Sequence, residues 1–234
     1  MAVINVKYFS ELVHQNVEYN VVIPDQLEKS KCKVIYLLHG LYGDAYSWIL
    51  SGNAIDISNK YNVILIMPEG FNSFYINHNN GYKYYDYIAN EVIEHSKNTF
   101  NISFLDWYIA GLSMGGFGAL YIGLKNDIFK AIGSFSGALE PKKIINDESI
   151  IFLKDIANQM NKEHNLLELL NKRKEKYPFI YLYCGRNDSL YKVNKKYSKK
   201  MPTYCNKFIF EEDDGTHSWE MWAKCLEKFI LNIN

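Results

Sequence analysis

Residues 111–120 read GLSMGGFGAL, directly after LDWYIA at 105–110. An apolar, strand-like run ends and a glycine-rich, helix-like run begins, with Ser113 at the junction. A serine hydroxyl is a poor nucleophile until it stands clear of its surroundings beside a base. A tight strand-to-helix turn lifts it clear but forces strained backbone angles on it. Glycines two residues before and two after then relieve the crowding. This is the G-x-S-x-G nucleophile elbow, here Gly111-Leu112-Ser113-Met114-Gly115. Chance alone supplies the five-residue pattern in about one chain in ten of this length, so its weight depends on the flanking sequence.

The flanking sequence repeats one rhythm. INVKYF and VEYNVVIP read as an opening antiparallel pair. KVIYLLHG, NVILIMPEG, DWYIAGLS, AIGSFSG, FIYLYCG and KFIFEE come next, mostly as continuous apolar runs expected of strands buried on both faces. Between them lie helix-like segments at 47–61, 84–100, 115–126 and 189–201, and a last one spans 218–233. Strands alternating with helices predict an α/β class, with an eight-stranded, mostly parallel sheet covered on both faces. The whole of 1–234 reads as one domain. Residues 140–177 break the rhythm as a charged, helix-prone insertion, equally consistent with a surface helix pair and with a cap beside the active site.

Composition narrows the function classes. Of 234 residues, 26 are Lys or Arg and 26 are Asp or Glu, a formal net charge of zero. That balance gives no electrostatic reason to expect nucleic acid or an anionic membrane as partner. No apolar stretch is long enough to span a bilayer. The N-terminus lacks a basic start, apolar core and cleavage site, so the expectation is a cytoplasmic protein. Cys32, Cys184, Cys205 and Cys225 are scattered without a CxxC pair, which predicts reduced thiols and neither a metal site nor a disulfide framework. A homo-oligomer is left open.

Two downstream residues give the elbow its weight. In an α/β-hydrolase the partners come in the chain order Ser, acid, His, in loops at the carboxyl ends of later strands. Asp188 comes after FIYLYCG, and His217 lies between KFIFEE and the last helix. Either alone would be an ordinary turn or loop residue. In order, each behind its own strand, they form a candidate triad with Ser113. His14, His95 and His164 lie in the N-terminal strand region or in helical segments, and His78 precedes the serine. His39 closes a strand before Gly40-Leu41-Tyr42-Gly43, the loop that supplies a second oxyanion donor. The backbone N–H groups of Leu41 and Met114 are therefore the expected oxyanion hole, with His39 bracing the loop. Trp48, Phe74, Tyr75 and Trp219 lie near the expected cleft, and packing is the favoured reading for most of them.

Together, LLHGLYGDAYSW, GLSMGGFGAL, CGRND and GTHSWEMW resemble the esterase D-like group of α/β-hydrolases, and most of all its small cytoplasmic tributyrin esterases. The resemblance covers nearly the whole chain and is weakest over 140–177. It implies Ser113, Asp188 and His217 as the triad, Leu41 and Met114 as oxyanion donors, a small-molecule ester substrate, and hydrolysis without a cofactor. Relatives that hydrolyse S-formylglutathione typically carry a cysteine after the HGL and a histidine before the nucleophile. Here those positions read Tyr42-Gly43 and Leu112. The resulting expectation is a serine carboxylesterase for short-acyl esters. Thioester hydrolysis and acyl transfer by the same triad are the alternatives, and a non-catalytic binding module is disfavoured by the intact constellation. The short-acyl reading rests on the compact chain, the absence of a long apolar lid and the Lys-, Glu- and Asn-rich insertion, and on the preference of the tributyrin esterases for small acyl groups.

Overall fold

The computed structural model describes residues 2–28, 32–144, 151–173 and 177–233. Its eight strands are β1 (Ala2–Ser10), β2 (Gln15–Ile23), β3 (Lys33–Leu38), β4 (Val63–Pro68), β5 (Asp106–Leu112), β6 (Phe129–Phe135), β7 (Phe179–Tyr183) and β8 (Phe208–Glu211). They form one sheet in the order β1-β2-β4-β3-β5-β6-β7-β8. The first two strands pair antiparallel, and β2 also runs antiparallel to β4. Every later pairing is parallel. Strands β3 and β4 are apolar almost throughout, because helices cover both of their faces.

The helices are α1 (Ser47–Ser51), α2 (Ala54–Tyr61), α3 (Tyr84–Asp86), α4 (Val92–Phe100), α5 (Met114–Lys125), α6 (Pro141–Ile144), α7 (Ile151–Gln159), α8 (Leu166–Lys172), α9 (Tyr191–Lys200) and α10 (Trp219–Asn232). Two expected helices are interrupted. The segment 47–61 divides at Gly52-Asn53, where Asn53 takes a left-handed φ of 53°. The segment 84–100 carries a π-helical turn at Tyr87–Glu91 between α3 and α4. Helix α9 starts later than its sequence pattern because Asp188 Oδ1 accepts the Leu190 N–H at 2.8 Å, holding residues 188–190 in a turn.

The core lies in two layers. On one face of the sheet α4, α5, α8 and α9 pack over β3, β5 and β6, with Tyr36, Phe117, Leu120, Leu170 and Tyr197 buried. On the other, α1, α2 and α10 bury Trp48, Ile57, Leu226 and Phe229. Helix α5 is buried from Met114 to Leu124 and tolerates no polar face. The insertion joins the first layer: Leu153, Ile156, Leu166 and Leu170 all belong to it. The four cysteines are free thiols, and each is buried. Burial raises the pKa of every one, to about 12 for Cys184, where the Asp188 charge adds to the effect, and to about 11 for Cys205. Among the described residues no helix is long and apolar enough to cross a membrane.

The strand order positions the site. From β3 the chain crosses to β4 on one side, then returns past β3 to β5 on the other. The loops leaving the carboxyl ends of β3 and β5 therefore diverge and open a crevice between them. Leu38 and Gly111 stand side by side at that edge.

Candidate active site

Ser113 sits between β5 and α5 with φ 52° and ψ −116°, angles a non-glycine residue rarely holds. The flanking glycines make this turn possible. A Cβ on Gly111 would lie 2.3 Å from the Gly115 carbonyl oxygen, and one on Gly115 would lie 2.5 Å from the carbonyl oxygens of Leu38 and His39. Those obstacles are backbone, so they have little room to yield. Gly115→Ala is expected to lower stability by about 1–3 kcal/mol, read as a reduced midpoint in thermal melts; an unchanged midpoint would show that the turn relaxes freely.

The crevice brings three distant residues together. His217 Nε2 lies 3.2 Å from Ser113 Oγ, and His217 Nδ1 lies 2.8 Å from Asp188 Oδ2. With the proton on Nδ1, that nitrogen donates to the carboxylate while Nε2 accepts from the serine hydroxyl. Asp188 comes from the loop after β7 and His217 from the loop after β8. The Asp188 side chain is fully buried. Burial alone would raise its pKa, but hydrogen bonds from His217 and the Leu190 N–H, with the nearby Ser136 hydroxyl, outweigh burial and hold it below the ordinary carboxylate value. A buried carboxylate kept ionised in this way fixes the orientation of the imidazole ring. Asp213 and Asp214 point elsewhere. Asp213 Oδ1 accepts from the Tyr183 hydroxyl and the Gly215 N–H, and Asp214 pairs with Arg186 at the surface.

Leu41 lies in the loop after β3, and Met114 opens α5 just after Ser113. Neither backbone N–H has an acceptor among the described residues. The Leu41 loop is clamped from behind by residues 69–75. The Tyr42 N–H donates to Asn72 Oδ1 at 2.7 Å, and the Tyr75 hydroxyl to the His39 carbonyl at 2.8 Å. His39 Nε2 accepts the Gly70 N–H at 2.8 Å while Nδ1 lies 2.7 Å from the Gly40 carbonyl. Both ring nitrogens of His39 are thus committed to the backbone, as a brace requires. Glu69 Oε1 takes the Phe71 N–H. The Tyr42 N–H is thus occupied, whereas the Leu41 N–H stays available to a ligand.

A cleft of about 420 Å³ opens over Ser113, walled by Leu41, Tyr42, His217, Trp219 and Trp222. Trp48, Trp219 and Trp222 stand edge to face, each neighbouring pair of rings 5.3 Å apart, and the last two wall the cleft. The Trp222 ring also meets His217 edge-on at 4.7 Å. Trp48, Phe74 and Tyr75 are buried packing residues, whereas Trp219 lines the cleft. Sequence patterns do not single out Trp222 or Phe152, and they mark Tyr42 only as a departure from a family pattern. Phe152 on α7 meets the Tyr42 ring edge-on at 6.3 Å, which brings the insertion to the rim of the cleft. No motif announces such a contact. Among the described residues no group of three or more His, Cys, Asp or Glu side chains is placed to hold a metal ion.

A mostly parallel eight-stranded sheet, with a serine on a strained turn after β5 and a histidine and an aspartate from later strand ends, defines an α/β-hydrolase. The chain belongs to the "Putative esterase" family, whose profile matches residues 10–232, and it is a serine hydrolase of the carboxylesterase class. An acetyl esterase of Caldicellulosiruptor saccharolyticus is 30% identical over 96% of this chain and 95% of its own length. Among solved structures, a fluorophosphonate-binding serine hydrolase of Staphylococcus aureus superposes with a TM-score of 0.87 at 25% identity, covering 100% of this chain and 98% of its own. An S-formylglutathione hydrolase of the same organism gives 0.84 at 25% identity, covering 100% and 99%.

Proposed function

We propose that the protein hydrolyses short-acyl carboxylic esters through an acyl-enzyme on Ser113. The observation that carries this reading is the unbroken chain Asp188–His217–Ser113 at 2.8 and 3.2 Å. His217 takes the hydroxyl proton as Ser113 Oγ attacks the ester carbonyl, and Asp188 holds the ring and stabilises its cationic form. The oxyanion meets the N–H groups of Leu41 and Met114, each worth about 3 kcal/mol in the transition state. His217 passes its proton to the departing alcohol. Water, deprotonated by the same imidazole, then releases the acid and restores the serine.

In this reading the indoles of Trp219 and Trp222, which wall the cleft, bound the space for the acyl chain and keep it short. Each methylene that fits gains up to about 0.8 kcal/mol, but the first that does not must strain or turn into water. Across p-nitrophenyl acetate, butyrate, octanoate and palmitate, all below their micelle concentrations, kcat/KM is expected to peak at butyrate or shorter. A maximum at octanoate or beyond overturns the short-acyl reading. The likeness to an S-formylglutathione hydrolase supports thioester cleavage as a second reading. S-formylglutathione assayed beside p-nitrophenyl butyrate decides between them by kcat/KM. Adding an alcohol acceptor and analysing products separates hydrolysis from acyl transfer. Phe152 against Tyr42 supports the reading of the insertion as a cap over the site rather than a remote surface pair.

A further inference from the structure

Beyond Tyr42 lies a second cavity, of about 230 Å³, between residues 71–84 and α7. It adjoins the cleft over Ser113 through shared structure. Tyr42 walls the cleft, its N–H is held by Asn72 and its ring meets Phe152, and both of those residues line the second cavity. Tyr42 is 65% exposed and Phe152 41% exposed. Two large aromatic rings left open to solvent beside a nucleophile are surface that burial by a ligand would relieve.

The lining of this cavity has a definite chemistry. Phe71, Tyr84 and Phe152 supply aromatic walls, with the Phe71 and Tyr84 rings 5.5 Å apart. Among the described residues Asp155 is the only formally charged one that lines it. No ion-pair or hydrogen-bond partner for its carboxylate occurs among the described residues. His78, only 9% exposed, stacks edge-on with Tyr84 at 4.8 Å. Its Nε2 lies 3.0 Å from the Ser73 carbonyl, so Nε2 carries the proton and Nδ1 is an acceptor with no donor among the described residues. Burial lowers the His78 pKa despite the Ser73 carbonyl and the Asp155 charge, which keeps the ring neutral at neutral pH. Among the described residues no Lys or Arg lines the cavity. Aromatic faces, one free carboxylate and one free acceptor, with no competing cation, suit a positively charged group.

Resting on the proposed esterase reading, we infer that this cavity is the leaving-group subsite, and that it selects esters whose alcohol carries a remote ammonium group between Phe152, Tyr84 and the Asp155 carboxylate. The alcohol is placed there, rather than the acyl chain, because the indoles of Trp219 and Trp222 wall the cleft beside His217, whereas Tyr42 of the same cleft touches Phe152 and Asn72 of the cavity lining.

The test uses butyrate esters of ω-(trimethylammonio)alkanols with increasing spacer length, each paired with its neutral tert-butyl isostere. The readout is the ratio of kcat/KM for the charged ester to that for its isostere. In the wild-type protein this ratio is expected to reach about tenfold at the spacer that spans Tyr42. Asp155→Asn, an exposed substitution whose folding is checked by thermal melting, should bring the ratio near one. Phe152→Ala should leave it in between. A ratio near one at every spacer overturns the inference, as does a ratio that Asp155→Asn leaves unchanged. A preference for glycerol monobutyrate over both members of each pair would overturn it too, by assigning the cavity to hydroxyl groups. A charge preference seen only when the ammonium sits on the acyl chain would overturn the leaving-group placement. Hydrolysis of p-nitrophenyl butyrate and fluorophosphonate labelling of Ser113 stand apart from the ratio. Their loss refutes the esterase reading and this inference with it, while their persistence without charge preference refutes this inference alone.

Discussion

Ser113→Ala should remove nearly all ester hydrolysis and leave the fold intact. Alanine fits wherever serine does, and the strained backbone is set by Gly111, Gly115 and the strand behind them rather than by the hydroxyl. Without Oγ no acyl-enzyme can form, and water must attack a carbonyl held against the proposed Leu41 and Met114 donors. Only the hole and substrate binding then contribute, so kcat should fall by about 10⁶-fold, as in other triad knockouts. The thermal midpoint should match wild type, and a fluorophosphonate probe should no longer label the protein. Activity within tenfold of wild type would exclude Ser113 as the nucleophile.

The second large effect separates three neighbouring aspartates. Asp188→Asn keeps the shape of the side chain but presents an amide to His217 Nδ1. The ring then favours the tautomer with its proton on Nε2, which cannot accept from Ser113, and kcat should drop by about 10⁴-fold. Asp214→Asn should cost little, because its carboxylate is 85% exposed and its Arg186 pair is open to solvent. Asp213→Asn keeps an oxygen able to serve Tyr183 and Gly215, so its cost should be to stability rather than to kcat. Steady-state kinetics on the three variants give the ranking. A larger loss from Asp213→Asn or Asp214→Asn than from Asp188→Asn would move the acid to the histidine's own loop.

The succession of strands along the chain, and the placement of Ser113, Asp188 and His217 behind strand ends, were legible in the sequence because each rests on local chemistry. Buried parallel strands write themselves as apolar runs such as VILIMP, and the elbow needs its glycines at fixed offsets. The acid and base need only come after successive strands. The features that were not legible depend on contacts between segments far apart in the chain. Asn72 holding the Tyr42 N–H joins two loops with no pattern to mark it, as does the meeting of Phe152 with Tyr42. The breaks in the helices at Asn53 and at Tyr87–Glu91 were hidden for a different reason. A left-handed asparagine and a single π-helical turn each preserve enough of the apolar spacing to read as uninterrupted helix.

The burial of all four thiols bears on chemical probing of this enzyme in mixtures. With Cys184 near a pKa of about 12 and Cys205 near about 11, the thiolate fraction at neutral pH is about one part in 10⁴ or less. Cys32 and Cys225 are buried and shifted in the same direction. Maleimides, iodoacetamide and mild peroxide therefore find little to react with in the folded state. A broad electrophile that inactivates the native protein is then expected to act on a group other than sulfur, and Ser113 is the proposed target. Thiol-blocking agents can be used to silence cysteine enzymes in a lysate while this hydrolase stays available to serine-directed reagents.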